Sequence, residues 1–194
     1  MTRAFVAVLL DEATRSAVAG EIERLRPLSE AVAWVPAENL HLTLKFLGEQ
    51  SDARLAEAAL AIDEAAATVQ RFRLTLHSVG GFPGMERPRI LWVGTAEGAL
   101  PLRALQARVE ATLGQLAFSP DARPWHPHLT IGRVFDPRRW RRDTSPALHS
   151  AIARMGTTIF GTLEVSRVAL MRSDLSRSGA RYSELYSAEL SRRT

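Results

Sequence analysis

His41-Leu42-Thr43-Leu44 returns as His128-Leu129-Thr130-Ile131, and this repeated stretch decides how the chain is read. Side chains of a strand alternate between its two faces. His41 and Thr43 therefore share one face, with Leu42 and Leu44 on the other. The second copy repeats the arrangement, with Leu129 and Ile131 as its apolar partners. A fold that brings these strands together gathers two imidazoles and two hydroxyls on one cleft. That set suits acid–base chemistry on a phosphate without a metal. One imidazole takes a proton from the nucleophile and the other gives one to the leaving oxygen. Thr43 and Thr130 then supply donors for the developing charge.

The flanking sequence reads as alternating strands and helices. Phe5 to Leu10 reads as a buried strand, followed by Asp11 as N-cap of a helix to about Leu25. Strands are expected at 32–35, 40–47, 72–76, 90–93 and 127–134. Two more are expected near 163–172 and 181–190, flanking a Ser-Arg-Ser-Gly turn at 176–179. Helices are expected from Ser51 or Asp52 to about Ala67, over 100–116 and over 148–155. Gly80-Gly81-Phe82-Pro83-Gly84 reads as a turn, and Asp136 to Pro146 as a long loop. Halves of similar pattern each hold one motif strand. The expected fold is a duplicated, bilobal α+β unit, with two antiparallel sheets facing a central cleft and helices outside. Residues 1–194 are expected to form a single bilobal domain.

Composition narrows the chemistry. The 194 residues contain no cysteine, which excludes disulfides, a thiolate nucleophile and thiolate metal sites. Nothing approaches the roughly 20 apolar residues of a membrane span, and no secretory signal is read at the start, so a cytoplasmic protein is expected. Residues 1–97 carry 10 Lys+Arg against 13 Asp+Glu, and residues 98–194 carry 15 against 8. The basic C-terminal half suits a polyanion. His126 and His128 have the spacing of a strand ligand pair but lack an accompanying carboxylate, so no metal site is expected. His77 and His149 lack a matching threonine and read as surface or structural residues.

Together these residues resemble the 2H phosphoesterase superfamily, and within it the RNA 2′,3′-cyclic phosphodiesterases formerly called 2′-5′ RNA ligases. The resemblance rests on Trp34-Val35-Pro36, on Glu38 to Gly48 around the first motif, and on Pro127 to Arg133 around the second. Arg3 to Val8, Arg87 to Trp92 and Ser178 to Tyr182 add to it. It implies hydrolysis of a 2′,3′-cyclic phosphate to a 2′-phosphomonoester, with His41 and His128 catalytic and Thr43 and Thr130 holding the phosphate. Reversible 2′-5′ ligation is compatible with the same groups. The implied partner is RNA or an oligonucleotide with a 2′,3′-cyclic phosphate end, with no cofactor, no metal and no membrane. A monomer is expected. Rival readings keep the site for a 2′-5′ oligonucleotide or an ADP-ribose cyclic phosphate, or make the chain a non-catalytic RNA or nucleotide binder.

Phe46 lies five residues after His41, and Arg133 five after His128, so the repeat makes them equivalent. Phe46 is a candidate for nucleobase stacking and Arg133 for binding phosphate. Strict alternation puts both on the face opposite the histidines, so they reach the cleft only if the strands bulge, twist or end. The same alternation puts Lys45, the chain's single lysine, on the histidine face. Arg138-Arg139-Trp140-Arg141-Arg142 is a candidate RNA grip, and Tyr182 a candidate lining residue.

Overall fold

The computed structural model describes residues 1–122, 124–176 and 179–192. Its elements, in chain order, are β1 (Thr2–Leu9), α1 (Glu12–Leu25), β2 (Val32–Trp34), β3 (His41–Gln50) and α2 (Asp52–Ala67). Next come β4 (Phe72–Phe82), β5 (Ile90–Thr95), α3 (Ala99–Gln115), β6 (Leu129–Val134) and α4 (Trp140–Asp143). The last are α5 (Pro146–Arg154), β7 (Ile159–Val165), β8 (Arg167–Ser176) and β9 (Gly179–Glu189).

The apolar opening run becomes β1 because both of its faces are covered. Ala4, Val6 and Val8 join the main apolar core, while Phe5 and Ala7 join a smaller cluster with Ala169 and Met171. The Asp11 side chain accepts from the Thr14 N–H at 2.8 Å and starts α1. Such a cap is typically worth about 1 kcal/mol. Val18, Ile22 and Leu25 of α1 are buried, and the helix packs against β7. Ser51, rather than Asp52, caps α2, and Ser145 caps α5 ahead of Pro146.

The strands form two antiparallel sheets, ordered β3-β1-β8-β9 and β2-β6-β5-β4-β7, in an α+β fold. Each sheet draws strands from both halves of the chain, so the repeat is interleaved rather than laid out half by half. The motif strands β3 and β6 lie in different sheets and touch each other. Helix α3 packs on both β3 and β4 and so ties the two sheets together.

Three expected elements differ from the structure. The strand expected at 163–172 is two strands, β7 and β8, which belong to different sheets and change over at Ser166. A continuous apolar pattern hides this crossing because both strands are half-buried. Gly80 and Gly81 lie within β4, which stays paired to Phe82↔Ile90. A Cβ on Gly80 would come within 2.3 Å of the Trp92 ring, so the glycine admits an indole against the strand. The long loop contains α4, whose Trp140 is fully buried with its ring edge-on to His149. Trp140 is therefore a core plug, not an RNA-stacking residue. Arg139 and Arg142 pair with Asp143, and Arg141 with Glu86. His149 is structural, with its Nε2 2.7 Å from the Thr144 hydroxyl. The turn expected over 176–179 falls in part on residues 177 and 178, which lie outside the described residues.

Candidate active site

Both motif strands carry a bulge at the same place. In β3, Lys45 pairs with Val6 and Thr43 with Ala7, leaving Leu44 unpaired. In β6, Gly132 pairs with Leu91 and Thr130 with Trp92, leaving Ile131 unpaired. Each extra residue stands three positions after its histidine. A bulge of one residue inverts the facing of everything beyond it. Phe46 therefore turns to the face of His41 and Thr43, and Arg133 to the face of His128 and Thr130. Both are exposed, Phe46 at 60%. Gly132 allows the second bulge to sit under β2, because a Cβ there would meet Val32 at 2.6 Å.

The same inversion sends Lys45 inward, against the expectation from alternation. Its side chain is fully buried, and its Nζ donates to both Glu110 carboxylate oxygens at 2.8 and 2.9 Å and to the Ser119 carbonyl at 2.8 Å. A buried ammonium requires such partners. Lys45 fastens β3 to α3 and to the connection leading into β6. Farther along that connection the Trp125 Nε1 donates to the Thr43 carbonyl at 3.0 Å.

The two imidazoles are held in matching ways. His41 Nδ1 lies 2.8 Å from the Asn39 carbonyl oxygen, and His128 Nδ1 lies 2.7 Å from that of His126. A carbonyl can only accept, so Nδ1 carries the proton in both rings. Each Nε2 is thereby left as the atom that changes protonation. Each ring also meets an aromatic edge-on: Tyr182 stands 5.2 Å from His41 at 89°, and Phe82 stands 5.1 Å from His128 at 89°. Phe5 lies 4.7 Å from His41 and 6.2 Å from Phe46, so these rings form one aromatic wall. The Asn39 side chain donates to the Ala180 carbonyl at 2.8 Å and pins the carbonyl-bearing turn to β9.

Burial is the largest influence on both histidines and pushes each below its ordinary value of 6.5. The backbone carbonyls oppose this by favouring the charged rings. The Arg133 guanidinium lowers both, and His128 lowers His41. One cation thus bears on both imidazoles, His41 at the start of β3 and His128 just ahead of β6, two strands that touch each other. Thr43 and Thr130 are half-buried on the same faces, and among the described residues no intramolecular hydrogen bond engages either hydroxyl. Also among the described residues, no group of three or more His, Asp or Glu side chains is arranged to hold a metal ion.

Phe82, Trp125 and the carbonyls of Asn39 and His126 were not singled out from sequence. The carbonyl pair had a signal there. In Asn39-Leu40-His41 and His126-Pro127-His128, the residue two before each histidine stands in the same position relative to its motif.

A sequence model described as the 2′-5′ RNA ligase superfamily matches residues 14–177. An RNA 2′,3′-cyclic phosphodiesterase of Aeropyrum pernix is 39% identical over 174 residues, covering 86% of this chain and 93% of that protein. The crystal structure of TT0787 of Thermus thermophilus is 31% identical with a TM-score of 0.74, covering 97% of each chain. That of E. coli LigT complexed with 3′-AMP is 27% identical with a TM-score of 0.75, covering 97% of this chain and 98% of LigT.

Proposed function

The chain belongs to the 2′-5′ RNA ligase superfamily, and from that premise we propose that it is a metal-independent RNA 2′,3′-cyclic phosphodiesterase. The observation that carries the proposal is the matched pair of imidazoles, each with Nδ1–H on a backbone carbonyl and Nε2 left to exchange a proton. One Nε2 removes a proton from water as the water oxygen bonds to phosphorus. The other, protonated, gives its proton to the departing 3′ oxygen as the P–O3′ bond breaks. The product is a 2′-phosphomonoester. Acid and base roles of this kind each contribute typically about 10²–10⁴-fold.

Thr43 and Thr130 donate to the non-bridging oxygens, where charge develops. Arg133 adds a charge-assisted bond to the same group. Phe46 offers an exposed ring for the terminal base, beside Phe5 and on the His41 side. Stacking of that kind is worth about 1–3 kcal/mol per base and tolerates any base. RNA with a 2′,3′-cyclic phosphate end is the proposed substrate, and neither cofactor nor metal is required by this scheme. Among the described residues no helix is long and apolar enough to cross a membrane. The proposed setting is the cytoplasm, and the proposed working form is a monomer with residues 1–194 as one bilobal unit.

The test is turnover of a mononucleoside 2′,3′-cyclic phosphate in excess EDTA, with the product resolved by phosphorus NMR. The 2′-phosphomonoester is the expected product. A 3′-phosphomonoester, or turnover abolished by the chelator, contradicts the scheme.

Arg133 makes a pH prediction. A base that must be neutral and an acid that must be protonated give a bell in kcat/KM, and the free enzyme sets its limbs. Both histidines are depressed, so the maximum is expected below pH 6.5. Arg133→Ala removes a positive charge that disfavours both imidazolium ions. Both limbs should then move to higher pH while kcat/KM at the maximum falls. Limbs that stay in place would show that Arg133 does not face the two rings.

A further inference from the structure

We propose that the hollow beside His128 is a second nucleoside subsite, which receives the 5′-hydroxyl end of an acceptor strand across the phosphate from the terminal nucleoside. This rests on the cyclic-phosphodiesterase reading above. The hollow has a volume of about 260 Å³, and Ser78, Phe82, Trp92, Arg103 and His126 are among its lining residues. It adjoins His128 directly. Phe82 is the ring edge-on to His128, and His126 supplies the carbonyl that holds His128 Nδ1.

The lining suits a base and ribose. The Trp92 and Phe82 rings lie 5.3 Å apart with 36° between their planes, and the His126 ring is 6.0 Å from Phe82. Arg103, exposed on α3, places a guanidinium at the rim, where it donates to the Trp125 carbonyl at 3.2 Å. Aromatic faces joined to a cation are the usual chemistry for holding a nucleotide without reading its sequence.

Hydrolysis of a single cyclic nucleotide leaves this hollow unused. On the reading proposed above, the terminal nucleoside stacks on Phe46, on the His41 side. In a displacement at phosphorus the entering and leaving oxygens lie in line, on opposite sides. The nucleophile's side is therefore the far side from that nucleoside, and there His128 and the hollow stand. An acceptor 5′-hydroxyl placed there replaces water. Its oxygen bonds to phosphorus, the P–O3′ bond breaks, and its proton passes to one imidazole. The other imidazole protonates the 3′ oxygen, leaving a 2′-5′ phosphodiester. The reverse step forms the P–O3′ bond and expels the 5′ oxygen, so it uses the same subsite.

Two variants test this in the full-length protein. Ala99→Trp fills the hollow from α3, and Thr95→Trp fills it from β5. The substrates are adenosine 2′,3′-cyclic phosphate, which needs one nucleoside site, and the 2′-5′-linked adenosine dinucleotide, which needs two. Both variants should hydrolyse the cyclic phosphate within about twofold of the wild type. Each should lose at least about tenfold in kcat/KM for cleavage of the dinucleotide, chiefly through KM, as expected for one lost base platform. No selective loss in either variant overturns the proposal. So does a wild-type enzyme that hydrolyses the cyclic phosphate but leaves the dinucleotide intact. A wild type inert on the cyclic phosphate overturns the underlying reading, and this inference falls with it.

Discussion

His41→Ala and His128→Ala are each expected to lower kcat on a 2′,3′-cyclic phosphate by at least about 10²-fold, and the double variant by little more. Hydrolysis needs a base on water and an acid on the 3′ oxygen in the same transition state. Removing either leaves the remaining partner with half of a coupled proton transfer, so the two losses do not multiply. The structure gives the two residues equal standing. Each has Nδ1–H on a carbonyl two residues back, an aromatic edge-on to the ring, and a depressed proton affinity caused chiefly by burial. His41 has one further ring against it, Phe5 at 4.7 Å, but the groups that prepare each Nε2 for proton transfer match, so comparable losses are expected. Steady-state kinetics on the purified variants is the check. Near-normal activity in either variant would end the paired assignment.

Lys45→Met is expected to have the largest effect on stability, about 2–4 kcal/mol. Removing one member of a buried ion pair generally costs about 3–5 kcal/mol, because the other charge is left without its partner. The Glu110 side chain keeps 26% of its exposure and recovers some hydration, which lowers the expected figure. The Ser119 carbonyl loses its donor as well, and Glu110 keeps only a 3.3 Å bond from the Asp121 N–H. Urea unfolding should show a lower midpoint at an unchanged slope. Activity should fall too, because the tethered connection carries Trp125, whose indole holds the Thr43 carbonyl, and leads into His128. A change in stability below about 0.5 kcal/mol, the range of an ordinary surface substitution, would show that Lys45 bears no such tie.

Much of this arrangement was legible in the residues. The run Phe5 to Leu10 marked a strand covered on both faces, Asp11 marked the start of a helix, and the spacing His-x-Thr put hydroxyl and imidazole on one face. These features depend on local pattern, which a strand or helix repeats faithfully. The bulges at Leu44 and Ile131 were not legible, because an apolar residue fits both a regular strand and a bulged one. Their consequence was large. Phe46 and Arg133, which strict alternation places opposite the histidines, stand on the histidine faces, and Lys45, which it places on the face of His41, turns into the core. The equal spacing of Phe46 and Arg133 from their histidines was the clue to a shared irregularity. The crossing at Ser166 was hidden because β7 and β8 bury apolar residues against the same core. Trp140 stood in a run of arginines, and charge around an aromatic says nothing of which way the aromatic points. The second aromatic group, Phe82 with Trp92, depends on glycine at position 80, where the sequence suggested a turn.

The pH dependence of kcat/KM for the wild type and the two single histidine variants tests the central claim most directly. The wild type should give a bell with two limbs. Each variant should keep one limb, and the limb lost by His41→Ala should be the one kept by His128→Ala. Two variants that both retain the full bell, or that lose the same limb, would contradict an acid and a base divided between these two imidazoles.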